Sequence, residues 1–346
     1  MNPEGAPPSR AAARQEGRAT INDIAAVTGV AASTVSRALS RPDRVNRVTR
    51  ERIQAAAREL NYVPNTQARA LSSGRTDTVA LLVSDATNPF YFGLIRGAQQ
   101  QLHAAGQALL LMDTEDSAEL ENHLLGKMRR SVDGVILAAS RLPEQTLAVI
   151  AAELPVVTIN RNVPGVHSVV IDSPDGVMQA VEHLVSLGHR HVAYVTGPPS
   201  SWANEARWRA LRTGMARHGL SADRIGPFGV SRHCGSAAAD ALLNTGATAC
   251  VTFNDLLAIG ILRRLAERGV DVPGEISVVG CDDIFGADFC SPPLTTLTAP
   301  IEQAGRVAVS MLLENLENPA VRASCRRIIL PTHLTVRQSS GQAPRL

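Results

Sequence analysis

The stretch TGVAASTVSRA, residues 28 to 38, decides the fold of the amino-terminal part of the chain. Gly29 permits a sharp corner that a residue with a Cβ atom adopts with difficulty. Beyond it, Val35 and Leu39 are four positions apart and are predicted to turn inward. The opposite, outward face carries Ala32, Ser33, Ser36 and Arg37. The pattern predicts the turn and second helix of a helix-turn-helix, which carries a short helix into the major groove of DNA.

Helix signals on both sides favour this interpretation over an ordinary helical hairpin in a larger core. Thr20, with Asp23 three positions later, is a capping-box-like start for a first helix. The apolar face of that helix is formed by Ile21, Ile24, Ala25 and Thr28. Asn46 is placed to cap a third helix. The apolar stripe of that helix is formed by Thr49, Ile53, Ala56, Ala57 and Leu60. Three such helices predict a small all-α head at residues 19 to 63.

Further motifs follow in order along nearly the whole chain, from residue 19 to residue 338. They are Thr20-x-x-Asp23-Ile24-Ala25, Thr34-Val35-Ser36-Arg37, Tyr62-x-Pro64-Asn65, Ala68-Arg69-x-Leu71 and residues 84–90, 132–136, 187–192, 253–255, 282–284 and 291–296. Their order and spacing resemble the lactose/galactose-repressor (LacI/GalR) family of bacterial transcription regulators. The resemblance is specific for the family and says much less about the ligand.

The sequence pattern of residues 77 to 338, the body of the chain, predicts an α/β domain. After Thr78, apolar runs alternate with helical stretches, which predicts parallel sheets covered by helices on both faces. The resemblance implies a two-lobed, periplasmic-binding-protein-like effector and dimerisation domain with Rossmann-like sheets at residues 77 to 338. We expect the chain to cross between the lobes near Ser173, Ala299 and Leu330, with the ligand in the cleft at the carboxyl ends of the strands. Residues 64 to 76 are expected to form a hinge helix or linker. Residues 1 to 18 and 339 to 346 are expected to be tails, the first of them disordered.

Charge is distributed unevenly along the chain. The net charge is only +2 for 346 residues, yet residues 19 to 75 hold nine arginines against four acidic residues. A basic head on a mildly acidic body is typical of a DNA-binding protein with a separate sensing domain.

The sequence also predicts where the protein is located. No apolar run is long enough to span a bilayer, and the amino terminus lacks the apolar stretch of a secretory signal. The five isolated cysteines indicate reduced thiols. We therefore expect a cytoplasmic protein that does not bind membranes.

The resemblance assigns the DNA contacts residue by residue. The variable pair of the recognition helix maps to Ala32 and Ser33, and Arg37 is the one long donor on that face, expected to contact guanine. In the hinge stretch, Leu71, with Ala68 one turn earlier, is expected to enter the minor groove and bend the operator. The other DNA contacts are assigned to Thr20, Thr34, Ser36, Asn46, Tyr62 and Asn65.

Polar and aromatic side chains that follow the predicted strands indicate the effector site. The resemblance, together with the position of Asp85 after a strand and the aromatic character of Trp202, predicts the effector-binding residues. They are Asp85, Phe90, Tyr91, Asn160, Arg161, Trp202, Arg207, Asn254 and Asp282. Aromatic faces take the apolar side of a sugar ring while charged and amide groups satisfy its hydroxyls, so a sugar or sugar derivative is the expected effector. Ser201 and Ala203 replace bulkier polar groups of the purine-responsive branch and argue against a purine. Arg161 beside Arg207 would tolerate an anion. Trp208 is expected in the core.

The expected function is that of a transcriptional regulator. We expect a homodimer that binds a pseudo-palindromic operator in double-stranded DNA and is released by an inducer. A co-repressor mode with a non-sugar metabolite is also compatible with the family.

Three other classes of protein fit the sequence less well. An α/β enzyme would need a nucleophile with its base, a metal set or a phosphate loop, and the sequence offers none with suitable spacing. We therefore predict no catalytic residue, metal or cofactor, and we interpret His189 and His191 as surface or strand-edge residues. The head argues against a periplasmic binding protein, and the effector cleft argues against an architectural DNA-bending protein.

Overall fold

The computed structural model describes residues 19–40, 42–63, 74–318 and 324–345. The chain divides into two compact units, Met1–Gly74 and Arg75–Leu346. The predicted tail at residues 1 to 18 and the predicted hinge residues Asn65, Ala68 and Leu71 lie outside the described residues.

Three α-helices form the described part of the first unit, and their caps are local in sequence. The helices are α1 (Ile21–Thr28), α2 (Ala32–Ser40) and α3 (Arg47–Glu59), with a 3₁₀ turn at Pro42–Arg44. Thr20 Oγ1 accepts a hydrogen bond from Asp23 N at 3.4 Å, and Asp23 Oδ2 accepts one from Thr20 N at 2.9 Å. This is the predicted capping box, and Gly29 ends α1 with a left-handed φ of 68°.

The core of the head is small and apolar. Its buried members are Ile24, Val35, Ala38, Ile53 and Ala56. Leu39, predicted to turn inward, is only half-buried, because Ala38 occupies the inward position one helical turn after Val35. Leu39 packs against the edge of this core.

The second unit contains twelve strands and eight helices within the described ranges. The strands are β1 (Thr78–Val83), β2 (Ala108–Asp113), β3 (Gly134–Ala138), β4 (Val156–Ile159), β5 (His167–Ile171), β6 (His191–Val195), β7 (Ser221–Ile225), β8 (Ala249–Thr252), β9 (Ser277–Asp282), β10 (Thr295–Thr298), β11 (Arg327–Leu330) and β12 (His333–Thr335). The helices are α4 (Phe90–Ala104), α5 (Ala118–Met128), α6 (Glu144–Glu153), α7 (Ser173–Ser186), α8 (Trp202–Arg217), α9 (Gly235–Leu243), α10 (Asp255–Glu267) and α11 (Ile301–Glu317).

These elements form two lobes, each built on one six-stranded sheet. The strand order is β11-β5-β4-β3-β1-β2 in the amino-terminal lobe and β12-β10-β9-β8-β6-β7 in the carboxyl-terminal lobe. All pairings are parallel except that of β10 with β12. In a parallel sheet, the connecting helices cover both faces. The strands therefore carry apolar residues on both faces. The predicted fold class is confirmed.

The chain passes between the lobes three times, close to the predicted positions. It leaves β5 for α7 at residue 172, leaves β10 for α11 at residues 299–300, and leaves β11 for β12 at residues 331–332. Because the strands are parallel, their carboxyl ends in each lobe meet at one edge of the sheet.

The carboxyl-terminal residues do not form the predicted tail. Ser339 is fully buried, and its hydroxyl donates to the Val278 carbonyl at 2.6 Å. Ala343 N donates to the Leu187 carbonyl at 2.9 Å. Residues 339 to 343 are therefore packed on the carboxyl-terminal lobe, and a buried polar segment of this kind is stable because its groups are hydrogen-bonded.

His189 holds that segment, which corrects its interpretation as a surface residue. It is fully buried. Its Nδ1 lies 2.8 Å from the Thr248 hydroxyl, and its Nε2 lies 3.0 Å from the Gly341 carbonyl oxygen. His191, by contrast, is half-buried at the start of β6, and its Nε2 lies 2.9 Å from Asp223 Oδ2. This position agrees with its interpretation as a strand-edge residue.

Two negative findings apply to the described part of the chain. No helix there is long and apolar enough to cross a membrane. No group of three His, Cys, Asp or Glu residues there is arranged to hold a metal ion.

Candidate functional site

The carboxyl ends of the two sheets face each other across a cleft between the lobes. The amino-terminal lobe contributes Ser84, Asp85, Asn88, Phe90, Tyr91, Asp116, Ala139, Ser140, Arg141 and Asn160. The carboxyl-terminal lobe contributes Ser201, Trp202, Ala203, Arg207, Val230, Phe253, Asn254 and Asp282. Eight of the nine predicted effector residues thus lie together, although they come from separate strands and helices.

Arg207 is the central polar group of the carboxyl-terminal lobe. It projects from α8, is 6% exposed, and its Nη2 lies 3.4 Å from Asp282 Oδ1. Its Nη1 donates to the Phe253 carbonyl, and the guanidinium carbon lies 5.3 Å from the centre of the Phe253 ring. Its Nε is buried and has no hydrogen-bond partner among the described residues. A buried donor without a partner is unfavourable, so the Nε–H of Arg207 is the unsatisfied polar group of this side chain.

Asp282 lies at the end of β9 in an unusual backbone conformation. Its φ is 118°, a region that residues with side chains seldom adopt and that is found at functional sites. Burial raises the pKa of Asp282 to about 8, although Arg207 acts in the opposite direction.

Aromatic rings form one wall of the cleft. Phe90 and Tyr91 begin α4, and their ring centres lie 5.1 Å apart in an edge-on arrangement. Tyr91 Oη shares a hydrogen bond of 2.6 Å with Ser84 Oγ, and burial raises the pKa of Tyr91 to about 12. Tyr91 is thus a neutral phenol at physiological pH. Trp202 lines the other lobe, half-buried at the start of α8.

Trp208 does not line this cleft. It stacks on Tyr194 with ring centres 6.0 Å apart and packs against the core of the carboxyl-terminal lobe. The expectation that it belongs to the core is confirmed.

The amide and carboxylate groups of the cleft are held by their own loops. Asp85 Oδ1 accepts from Thr87 N at 2.8 Å. Asn160, with a φ of 56°, accepts from Ile171 N at 3.2 Å. Asn254 Oδ1 caps α10 by accepting from Leu257 N at 3.0 Å. These bonds fix the direction of each side chain before any ligand arrives.

Arg161 is the exception among the predicted effector residues. It does not line the cleft; its Nη1 donates to the Ser140 carbonyl at 2.7 Å. Burial lowers the pKa of Arg161, and Glu121 opposes this shift. Although Arg161 follows Asn160 in sequence, its side chain turns away from the cleft, because the Glu121 carboxylate and the Ser140 carbonyl attract it.

The polar residues of the cleft that sequence reasoning missed include Asp116, Ser140 and Arg141. Each follows a strand, Asp116 after β2 and the other two after β3. The rule that ligands bind at the carboxyl ends of parallel strands would have indicated them.

The surface of the head keeps the predicted outward face. Ser33, Ser36 and Arg37 of α2 are exposed, whereas Ala32 and Thr34 are half-buried. The N–H of Thr34 donates to the Ala31 carbonyl at 2.8 Å. This face carries one cationic side chain and two hydroxyls.

Three other residues predicted to contact DNA have structural roles. Thr20 caps α1, and Asn46 caps α3 by accepting from Val48 N at 2.9 Å. Tyr62 is half-buried against the apolar core of the head. A role for these residues at DNA stays a prediction.

The chain is similar to bacterial regulators in both units. A model of bacterial regulatory proteins of the lacI family matches residues 20–65, and a periplasmic binding protein-like domain matches residues 181–340. The chain is 32% identical over 334 residues to the HTH-type transcriptional regulator DegA of Bacillus subtilis. This alignment covers 94% of this chain and 98% of DegA. The chain belongs to the LacI family of bacterial regulators. It is also 31% identical over 336 residues to the regulator GalR of Escherichia coli, covering 95% of this chain and 97% of GalR.

Solved structures of the family have the same fold. The Lac repressor dimer bound to operator and the anti-inducer ONPF aligns with a TM-score of 0.83 and 27% identity, covering 94% of this chain and 100% of that one. A complex of the transcriptional regulator CelR with cellobiose aligns with a TM-score of 0.69 and 32% identity, covering 93% and 100%. This LacI-family protein is a DNA-binding transcriptional regulator, and its relatives are regulators rather than enzymes.

Proposed function

We propose that this regulator binds operator DNA as a homodimer and that a carbohydrate in the inter-lobe cleft controls that binding. The observation that carries the proposal is Arg207, a cleft-lining cation whose Nε–H is buried and has no hydrogen-bond partner among the described residues. A ligand oxygen would satisfy it. A ligand that contacts both lobes would also favour one arrangement of the lobes over another, and that difference in affinity is what an allosteric effector requires.

The lining of the cleft supports a carbohydrate. Phe90 and Trp202 offer flat apolar faces, while Asp85, Asn254 and Asp282 offer oxygen and nitrogen atoms to hydroxyl groups. Small polar ligands with apolar faces bind where a few convergent polar groups meet aromatic walls. Two similar structures contain sugars: the CelR complex with cellobiose, and a LacI-family regulator from Enterococcus faecium with bound ribose.

The exposed face of α2 supports sequence-specific DNA contact. Arg37 can reach a guanine edge in the major groove, and the hydroxyls of Ser33 and Ser36 can contact bases or phosphates. The excess of arginines in the head strengthens attraction to the phosphate backbone. A role for Leu71 as a minor-groove wedge is proposed from the sequence pattern.

Exposed apolar residues on both lobes support a dimer. Phe285 and Phe289 are 76% and 65% exposed and contact each other with ring centres 5.0 Å apart. On the edge strand β2, Leu110 and Leu111 are also exposed. Apolar patches and open strand edges of this kind mark association surfaces, and a second copy of the chain would give the symmetry that a pseudo-palindromic operator requires.

The proposal is tested in two steps. An operator fragment is first selected from random DNA by the full-length protein, and its affinity is measured by fluorescence anisotropy at fixed salt. Neutral sugars, sugar acids, sugar phosphates, nucleobases and amino acids are then titrated calorimetrically against the protein and added to the DNA complex.

We expect at least one carbohydrate to bind and to change operator affinity, typically by 1–3 kcal/mol of coupling. The sign of the change distinguishes an inducer from a co-repressor. If only a purine or an amino acid bound, the carbohydrate assignment would be refuted, whereas the assignment as a transcriptional regulator would stand. Sedimentation of the DNA complex as a monomer on one half-site would refute the dimer.

A further inference from the structure

We propose that Arg141 and Asp116 form a second recognition pair, on the amino-terminal lobe, and that this pair makes the cleft selective for uncharged polyols over anionic ligands. This inference rests on the proposed function, because it concerns the ligand of the same cleft. It adds two residues and a charge selectivity that the Arg207–Asp282 pair of the opposite lobe does not provide.

The geometry of the pair leaves several groups available to a ligand. Arg141 Nε donates to Asp116 Oδ1 at 2.6 Å, and the Arg141 side chain is only 7% exposed. Within residues 74–318 and the other described ranges, the terminal nitrogens of Arg141 and the second carboxylate oxygen of Asp116 make no hydrogen bond. Both residues line the cleft. A hydroxyl group can accept from the guanidinium and donate to the carboxylate, so one hydroxyl or two neighbouring hydroxyls would satisfy both.

Arg141 is supported from behind by groups that do not line the cleft. Its backbone N–H donates to Glu121 Oε2 at 2.9 Å, and Glu121 is buried. The carbonyl of the preceding Ser140 accepts from Arg161 Nη1 at 2.7 Å. Arg161 therefore acts as a positioning residue that fixes the loop after β3, and a fixed loop loses little entropy when a ligand binds.

Asp116 is also presented by a constrained backbone. Glu115 and Asp116 have φ values of 48° and 57°, in the left-handed region that side chains disfavour. Asp116 N donates to the Ser84 carbonyl at 2.6 Å, which ties this turn to the end of β1. Unfavourable backbone conformations persist where the surroundings enforce them, and they cluster at binding sites.

The charges of the cleft argue against an anion. Five lining residues can carry a charge at physiological pH: Asp85, Asp116, Arg141, Arg207 and Asp282. Each lobe pairs one arginine with one aspartate, so both guanidinium charges are compensated when Asp282 is ionised. With Asp282 ionised the sum is −1, and with Asp282 protonated it is zero. In either state the cleft carries no excess positive charge to offset the desolvation of a phosphate or carboxylate.

The test uses two substitutions that change the cleft charge in opposite directions. Arg141→Gln removes a positive charge, and Asp116→Asn removes a negative one. Arg264→Gln is the matched control, because Arg264 Nε bonds Asp240 Oδ1 at 3.1 Å in an arginine–aspartate pair outside the cleft. Each full-length protein is titrated calorimetrically with matched probes: ribose and ribose 5-phosphate, glucose and gluconate, and cellobiose. Far-UV circular dichroism and thermal unfolding monitor folding.

We expect the wild-type protein to bind an uncharged probe at least tenfold more tightly than its anionic counterpart. Arg141→Gln should weaken the uncharged probe by about 10- to 100-fold, the loss expected for a hydrogen bond from a charged donor. Asp116→Asn should shift the preference toward the anion, Arg141→Gln should shift it further away, and Arg264→Gln should change neither. A purely structural role for the pair would move both preferences in the same direction.

The outcomes separate this inference from the proposed function. A sugar that binds with affinity and selectivity unchanged in both variants overturns the second pair and leaves the carbohydrate assignment standing. A sugar phosphate or sugar acid that binds more tightly than the neutral sugar also overturns the inference alone. Failure of every carbohydrate to bind the wild-type protein overturns both.

Discussion

Replacement of Asp282 tests the physical basis of the carboxyl-terminal side of the cleft. Its side chain is 9% exposed and that of Arg207 is 7% exposed, so water cannot readily replace either partner. Asp282→Ala removes the carboxyl group bonded to Arg207 Nη2, while the Phe253 carbonyl still binds Nη1. Losing a buried hydrogen bond to a charged group costs about 1.5–3 kcal/mol. At about 2–4 °C per kcal/mol for a large domain, the melting temperature should fall by roughly 3–12 °C.

Asp282→Asn is the matched variant that separates hydrogen bonding from charge. Because burial raises the pKa of Asp282 to about 8, the carboxyl group is mostly protonated at neutral pH, and an amide of the same shape should cost less than about 1 kcal/mol. A raised pKa in the folded state gives a stabilisation that is complete below the unfolded pKa and is lost as the pH rises through the folded pKa. Asparagine does not titrate, so the wild-type protein should lose stability relative to Asp282→Asn between about pH 4 and about pH 8.

Thermal unfolding followed by circular dichroism measures both effects. The three proteins are melted in the same buffers at acidic, neutral and alkaline pH, and Arg264→Gln serves as a control for loss of a surface ion pair. A melting temperature of Asp282→Ala within about 1 °C of the wild-type value would refute the estimate of buried hydrogen bonding. A difference between wild type and Asp282→Asn that stays constant with pH would refute the raised pKa.

Three further predictions concern the head and the carboxyl-terminal segment. Arg37→Ala should weaken operator binding by about 1–3 kcal/mol and relax the preference at one base pair; equal losses on operator and random DNA, measured by anisotropy, would contradict a base contact. Thr20→Ala should destabilise the head by about 1 kcal/mol through loss of the α1 cap, seen as faster amide exchange in α1 and contradicted by unchanged exchange. Burial lowers the pKa of His189, so the unfolded chain binds the proton more readily and stability should fall as the pH drops below the ordinary histidine value of about 6.5. Urea midpoints should show this fall, and His189→Gln should flatten it; an equally steep fall in the variant would count against His189.

The sequence alone determined the elements whose causes are local. The capping box of Thr20 and Asp23, the corner at Gly29 and the cap at Asn46 involve residues within four positions of each other, and the structure forms all three. The alternation of apolar runs and helices predicted the parallel sheets, because strands covered on both faces are rich in apolar residues. Strands with polar or short sequences, such as β7 and β12, carry no such signal and were not predicted. They lie at sheet edges, where pairing to one neighbour suffices.

Only the tertiary structure decided where side chains in the loops turn. Asn160 and Arg161 are neighbours, yet Asn160 lines the cleft whereas Arg161 does not and instead donates to the backbone carbonyl of Ser140. Asp116 and Arg141 meet although 25 positions separate them, and His189 bonds a segment 152 positions away. A helical or strand period constrains side chains within one element, whereas the direction of a loop side chain depends on partners that folding brings from elsewhere in the chain. For that reason the order of residues along the chain was sufficient to predict the family and its fold, whereas the recognition chemistry of the cleft required the folded molecule.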